Sequence, residues 1–186
     1  MKTNRIPLGL PFFGERYVFW GGDTQSLNLH HGTPNQKFAF DFVVIDIQGC
    51  RFKSSGNTNT DYFVYGKEIL SPGDGKVIVV IDGVPENKPG SMNSYSGLGN
   101  AVFIEHVSDE VSIIAHLQPN KIKVKPGETV KAGQIVGYCG NSGNSSEPHL
   151  HYHLQDNSII QNGKGIKIFF DQIQVKKLNR ISRYQK

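Results

Sequence analysis

Short runs of apolar residues, mostly β-branched or aromatic, alternate with turns rich in glycine and proline along most of the chain. Helical periodicity is almost absent, and the runs have the length and spacing of strands. They predict strands over residues 38–47, 76–82, 100–106, 111–116, 121–124, 130–138, 149–155 and 166–170. Closely spaced strands with little helix favour an all-β fold class, an antiparallel β-sandwich or barrel.

The size of the chain and the gaps between its strands bear on domain organisation. With 186 residues the chain can bury one good core but scarcely two. Neither an internal repeat nor a linker interrupts the pattern, so residues 1–186 are predicted to form a single domain. Residues 84–98 have the composition of a surface loop, and loops of that length are often functional.

Composition narrows the function classes only a little. Hydrophobic residues make up 37 % of the chain, as in a globular protein, and the formal net charge is +4. A mildly basic surface suits an anionic partner such as a cell-wall polymer, a lipid headgroup or a nucleic acid. Nucleic-acid binding is disfavoured because the aromatic residues are not interleaved with a basic patch. The lysines and arginines near the C-terminus are predicted to form a solvated face.

The sequence leaves open the cellular location of the protein and the redox state of its two cysteines. No run approaches the length of a transmembrane segment, and Pro7 and Pro11 break up the apolar stretch that a signal peptide would need. The chain is therefore expected to be either cytosolic or the mature form of an exported protein. Cys50 and Cys139 could form one disulfide or remain two thiols, since their spacing matches no metal or redox motif.

The segment Glu147–Leu154 contains three of the seven histidines, His149, His151 and His153, each two residues from the next. Alternate residues on a strand point to the same face, so neighbouring imidazoles would stand roughly 7 Å apart at the backbone. At that spacing one imidazole can bind a metal while its neighbour reaches the metal's water. The run therefore indicates a candidate metal site.

Further candidate ligands lie far away in the sequence: the adjacent His30 and His31, then Asp41, then His116. A catalytic zinc site needs about three protein ligands and an open position for water, and imidazole and carboxylate ligands suit zinc. The chain has no HExxH motif, so an uncoordinated histidine is the obvious group to handle the proton. The residues alone leave open which of these candidates come together.

The order of these residues and of the motifs between them resembles the lysostaphin/LytM-type zinc metallopeptidases, which cut peptidoglycan cross-links. The resemblance is strongest over residues 21–154. It includes a histidine, a downstream aspartate, an Ala-His-Leu and a His-Leu-His-aromatic run in the family's order. The family's connecting motifs are matched by residues 70–77, 99–106, 124–137 and 141–151. The resemblance implies the LytM-like, duplicated-hybrid-motif type of β fold.

The resemblance also implies roles for individual residues. His30, Asp41 and His151 would hold Zn²⁺, and His116 and His149 would be the catalytic pair beside it. The implied activity is hydrolysis of peptide bonds in peptidoglycan cross-links or stem peptides, outside the cytoplasm, by a protein for which a monomer is favoured. Candidate substrate-groove residues are His31, Asn100 and His153; for His153 a position behind a ligand is the other expectation.

The chain departs from the family's usual pattern in two places. The compact His-x-Gly-x-Asp is missing, because His30 precedes Asp41 by eleven residues and His31 precedes it by ten. The first ligand could therefore be either histidine, with His30 favoured. The connection over residues 50–65 is longer than is usual in the family and is expected to shape substrate access.

Two other function classes compete with the peptidase. One is a metal-free LytM-like module that binds the cell wall or activates another wall enzyme; against it, all five key positions are filled here. The other is a small carrier domain of the biotinyl type, since residues 124–137 also suit such folds. That class needs a modifiable lysine in a tight hairpin, and no such element is visible.

Overall fold

The computed structural model describes residues 1–107 and 109–171. Within this part of the chain there are nine strands and four short 3₁₀ helices. The strands are β1 Tyr17–Gly21, β2 Phe40–Val43, β3 Glu68–Leu70, β4 Gly75–Ile81, β5 Asn100–Val107, β6 Glu110–Leu117, β7 Thr129–Val130, β8 Ile135–Tyr138 and β9 Leu150–Gln155. The 3₁₀ helices are Leu29–Gly32, Pro34–Gln36, Asn59–Asp61 and Ile160–Asn162.

Seven strands form one antiparallel sheet in the order β1-β2-β9-β6-β5-β4-β7, and β3 pairs with β8 in a small second sheet. The predicted all-β, antiparallel class is confirmed. Strand β9 lies inside the large sheet, between β2 and β6, although more than 100 residues separate it from β2. This placement brings the histidine run next to the strand that carries Asp41.

Two of the predicted strands are not formed as strands in the structure. Residues 121–124 form no strand and keep one backbone hydrogen bond, from Lys123 N to Val136 O. The predicted final strand over 166–170 is reduced to isolated bridges, in which Lys167 pairs with Thr3 and Phe170 with Leu8. The basic residues beyond 171 lie outside the described part of the chain.

Both faces of the large sheet are covered. One face packs a large apolar cluster that includes Leu150, Tyr152 and Leu154 of β9. The opposite face packs a smaller cluster built mainly from β5 and β6, which includes Phe103 and Ile113. Strand β9 is therefore buried along its whole length, and its alternate residues His151, His153 and Gln155 are polar groups inside the protein. Such groups need hydrogen-bond partners to be tolerated.

Two further sequence expectations can be placed. Cys50 is exposed and Cys139 is buried, and both are free thiols. Of the two alternatives left open for the cysteines, the structure has the unpaired one. Among the described residues, every helix is too short to cross a membrane.

Candidate metal centre

Sheet register brings Asp41 and His151 together. They are directly paired residues on the antiparallel strands β2 and β9, flanked by the pairs Phe40 with Tyr152 and Phe42 with Leu150. Side chains of such a pair project to the same face of the sheet. The phenylalanines, Leu150 and Tyr152 point into the large apolar cluster, which leaves the carboxylate and the imidazole on the opposite face.

A short 3₁₀ helix supplies the third member of the cluster. Asn28 caps the helix Leu29–Gly32 by accepting a hydrogen bond from His30 N at 2.9 Å. His30 Nε2 lies 2.9 Å from Asp41 Oδ2, and His151 Nδ1 lies 2.8 Å from Asp41 Oδ1. One nitrogen or oxygen atom from each of the three residues lies within 4.8 Å of the others, the one such group of His, Cys, Asp or Glu side chains among the described residues.

The electrostatics of the cluster favour a charged Asp41 carboxylate beside a neutral His151 imidazole. Burial alone would raise the pKa of Asp41, but His149 and the adjoining rings of His151 and His30 hold that pKa well below its usual range. Burial lowers the pKa of His151, although Asp41 opposes the shift. Asp41 therefore offers a negative charge at neutral pH, and a neutral His151 can offer a lone pair.

This donor set fits Zn²⁺. Two imidazole nitrogens and one carboxylate oxygen are ligands that zinc uses, and three protein ligands leave the fourth position free for water or substrate, as in catalytic sites. The side chains are already within 4.8 Å of one another, so small adjustments suffice to surround an ion. The softer thiols take no part, since neither cysteine belongs to the cluster.

A β-bulge directs His116 at the cluster. Strands β5 and β6 pair Asn100 with Leu117 and Val102 with Ile114, so Ala115 and His116 stand opposite the single residue Ala101. His116 has a φ of 62°, in the left-handed region. Its Nδ1–H donates to Ser142 O at 2.8 Å, which turns Nε2 away from that carbonyl. Burial, followed by the nearby His149 and His151, lowers the pKa of His116 well below its usual range.

His149 precedes β9 and is held by its own loop. Its Nδ1–H donates to Glu147 O at 2.9 Å, and Ser145 Oγ lies 3.2 Å from the same nitrogen. This leaves Nε2 as the free ring nitrogen, 3.8 Å from Asp41 Oδ1. The ring centroids of His116 and His149 are 4.8 Å apart. Two imidazoles with free Nε2 atoms thus stand beside the His-Asp-His cluster.

Two glycines allow the loops around His116 to meet. Gly99 has a φ of 61°, and a Cβ there would lie 2.4 Å from the carbonyl carbon of Ser142. Gly143 has a φ of 77°, and a Cβ there would lie 2.2 Å from Gly99 N. The two backbones could not approach this closely with any other residue. Their contact fixes Ser142 O, the acceptor for His116.

A cleft of about 480 Å³ opens over the cluster. Its lining combines His30, His116 and His151 with Ile81 at the end of β4, the loop residues 96–99 and Ile160 of the last 3₁₀ helix. Residues 96–99 belong to the predicted long loop over 84–98 and its end.

The three candidate groove residues do not line this cleft. Asn100 is fully buried, where its side chain binds the backbone of Val84 and Leu117. His153 is 1 % exposed and contacts His151 from behind. Their strands turn both side chains into the interior, and His153 has the other position expected for it, behind His151. His31 is half-buried and also lies outside the cleft lining.

Sequence reasoning missed several polar residues that position the site. Ser142 and Ser145 hold His116 and His149, and Gln155 and Asn35 hydrogen bond behind His153. A signal was available for Gln155, since it continues the alternation of His149, His151 and His153 on one strand face. The serines gave no signal beyond lying in a glycine-rich loop.

Comparison with known proteins identifies the class of this β-sheet domain as a peptidase. The sequence profile of peptidase family M23 matches residues 55–164, more than half of the chain. The chain belongs to this family of metallopeptidases. The match includes His116, His149 and His151, whereas His30 and Asp41 lie before its first residue.

Two relatives with named activities are endopeptidases. The chain is 34 % identical over 103 residues to the peptidoglycan DD-endopeptidase ShyC of Vibrio cholerae, covering 55 % of this chain and 22 % of ShyC. It is 31 % identical over 103 residues to the glycyl-glycine endopeptidase ALE-1 of Staphylococcus capitis, covering 55 % of this chain and 25 % of ALE-1. The matched part thus spans about a quarter of each relative's length.

A solved structure has the same fold. The catalytic domain of the prophage-encoded M23 protein EnpA from Enterococcus faecalis, crystallised as a mutant, superposes with a TM-score of 0.52 at 24 % identity. The superposition covers 85 % of this chain and 93 % of that domain. The LytM-like fold expected from the sequence is thereby confirmed.

Proposed function

We propose that this protein is a zinc-dependent endopeptidase that hydrolyses peptide bonds in peptidoglycan cross-links or stem peptides. The observation that carries the proposal is the His30-Asp41-His151 cluster at the floor of an open cleft, with His116 and His149 beside it. The names of the relatives support a peptidoglycan substrate. They also support action outside the cytoplasm, where that polymer lies.

The residues around the cluster divide the chemistry among them. Bound there, Zn²⁺ would supply Lewis-acid polarisation of a water molecule and of the scissile carbonyl. His116 is neutral and presents Nε2, so it is suited to accept the proton of the attacking water. His149 presents Nε2 toward the cluster, 3.8 Å from Asp41 Oδ1, and with a proton on that nitrogen it would donate a hydrogen bond to the developing oxyanion.

Removal of the metal tests the proposal. We expect the purified protein to contain about one zinc per chain and to clear a suspension of purified cell walls. A chelator should abolish clearing, and added zinc should restore it, because no other group in the cleft can polarise the carbonyl as strongly. Metal analysis and turbidity measure the two results, and mass spectrometry of the released fragments names the bond. A wild-type protein without zinc would refute the proposal.

Paired variants identify the first ligand in the same assay. His30→Ala should lose zinc, because Nε2 of His30 lies 2.9 Å from the carboxylate. His31→Ala should keep it, because that side chain lies outside the cluster. The metal-free binding module remains the alternative function, and wall binding by a wild-type protein that holds no zinc would favour it.

The long connection over residues 50–65 braces the catalytic loop. Arg51 Nε lies 2.8 Å from Glu147 Oε1, and Arg51 Nη2 donates to Glu147 Oε2 at 3.1 Å. Asn59 Oδ1 accepts from Asn141 Nδ2 at 3.0 Å. Both partners belong to the loop that supplies Ser142, Ser145 and His149. We therefore assign the connection a positioning role at the catalytic histidines, beside the access role expected from the sequence.

We expect Arg51→Ala to lower the rate of wall hydrolysis about 10-fold while the zinc content stays unchanged. The substitution frees Glu147, whose backbone carbonyl orients His149, and a shift of about 1 Å in a catalytic group is costly. Turbidity rates and metal analysis measure the effect. The matched control is Lys131→Ala, which breaks an exposed ion pair with Asp74 far from the cleft. Equal rates for the two variants would contradict the positioning role.

A further inference from the structure

A network of buried, hydrogen-bonded side chains extends from the metal cluster along one face of β9. His151 Nε2 lies 2.9 Å from His153 Nδ1, and His153 Nε2 lies 3.1 Å from Gln155 Oε1. The Gln155 amide then donates to the backbone carbonyl of Asn157. All three residues are at most 1 % exposed, so water does not substitute for any of these contacts.

The donor and acceptor of every hydrogen bond in this buried network follow from its last member, the backbone carbonyl of Asn157. The carbonyl of Asn157 can only accept, so the Gln155 atom facing it must be the amide nitrogen. Oε1 of Gln155 therefore faces His153, and it also accepts from Asn35 Nδ2 at 3.1 Å. His153 Nε2 must then carry the proton that is donated to Gln155.

The same direction continues to the metal ligand. His153 is buried, and its two ring nitrogens face only His151 and Gln155, with no carboxylate of the described residues within ion-pair distance to balance a charge, so its ring is neutral and Nδ1 accepts. His151 Nε2 must supply the proton for that bond. A neutral imidazole carries only one ring proton, so Nδ1 of His151 keeps its lone pair, and this is the atom that faces Asp41 and His30.

We propose that His153 is a positioning residue. By accepting a hydrogen bond from His151 Nε2, it selects the tautomer of His151 whose Nδ1 can bind metal, and its own orientation is fixed by Gln155 and Asn157. The proposal rests on the zinc site of the proposed function. It also gives a reason for the burial of Asn35. This residue follows the 3₁₀ helix that carries His30 and donates to Gln155, so the hydrogen-bonded network connects the segment of His30 to strand β9, which carries His151.

Zinc affinity of three variants tests the role of His153. His153→Leu fills the space but leaves the His151 N–H without an acceptor, and we expect its dissociation constant for Zn²⁺ to rise about 10- to 100-fold. His153→Asn places a side-chain oxygen near the position of Nδ1 and should stay within about 5-fold of wild type. Tyr152→Phe is the matched control, since it removes one buried hydrogen bond, to Ser112, on the other face of the same strand. Chelator competition measures all of them.

The outcomes separate this proposal from the proposed function. A wild-type protein that binds no zinc refutes the zinc endopeptidase. Zinc bound equally well by wild type and His153→Leu, or lost equally by Tyr152→Phe, refutes the role of His153 alone. Nitrogen NMR of the histidine rings in the wild-type protein gives a readout that needs no variant. The proton of His153 is expected on Nε2, and finding it on Nδ1 would overturn the inference.

Discussion

Replacement of His116 by asparagine should lower the rate of wall hydrolysis about 1000-fold while one zinc per chain remains bound. His116 is outside the His-Asp-His cluster, so the metal keeps its ligands. General acid–base groups contribute roughly 10²- to 10⁴-fold to a rate, and Nε2 of His116 is the free nitrogen of a neutral ring beside the cluster. Turbidity rates and metal analysis on the same samples measure both results.

The choice of asparagine follows from the backbone. At a φ of 62° an alanine would add strain of about 1 kcal/mol, whereas asparagine tolerates the left-handed region. We expect His116→Ala to be equally inactive and also to melt at a lower temperature. An asparagine variant that keeps a tenth of the wild-type rate would remove His116 from the catalytic pair. Losses in His116→Asn and His149→Ala should not add, because the two imidazoles serve one reaction.

The bulge that carries His116 illustrates what the sequence could not provide. The alternation of apolar residues predicted a strand over 111–116, and the structure has one over Glu110–Leu117. The extra residue at Ala115 and His116 becomes visible only when the partner strand is known, because a bulge is a mismatch between two strands. Local pattern therefore gave the element but not the direction in which its histidine points.

Long-range register is the second limit. The spacing of His149, His151 and His153 indicated a shared face, and that face exists for His151, His153 and Gln155. Burial of β9 on both sides was not evident, since its polar residues are typical of an exposed strand face. Only the position of β9 between β2 and β6 turns His153 into an interior group. The resemblance to a known family, rather than spacing, brought the distant His30 and Asp41 into the candidate site.

Asp41 should prove the most sensitive member of the cluster. We expect Asp41→Asn to weaken zinc binding at least about 1000-fold and to abolish wall hydrolysis. The amide keeps the shape of the carboxylate, but it removes the negative charge of the one carboxylate in a cluster whose other two members are imidazoles. The lowered pKa of Asp41 means that this charge is present throughout the neutral range. Chelator competition and turbidity measure the two losses.

A second aspartate separates the loss of charge from a general loss of stability. Asp46 lies shortly after β2 and accepts hydrogen bonds from Gln48 N and Cys50 N, in a turn away from the cluster. Asp46→Asn should therefore keep zinc and activity even if it melts earlier. Asp41→Asn should lose zinc while its metal-free form stays folded, because the amide can still bond both His30 and His151, one through each terminal atom. Zinc retained at wild-type affinity by Asp41→Asn would mean that the carboxylate is not a ligand, and the three-residue site would have to be abandoned.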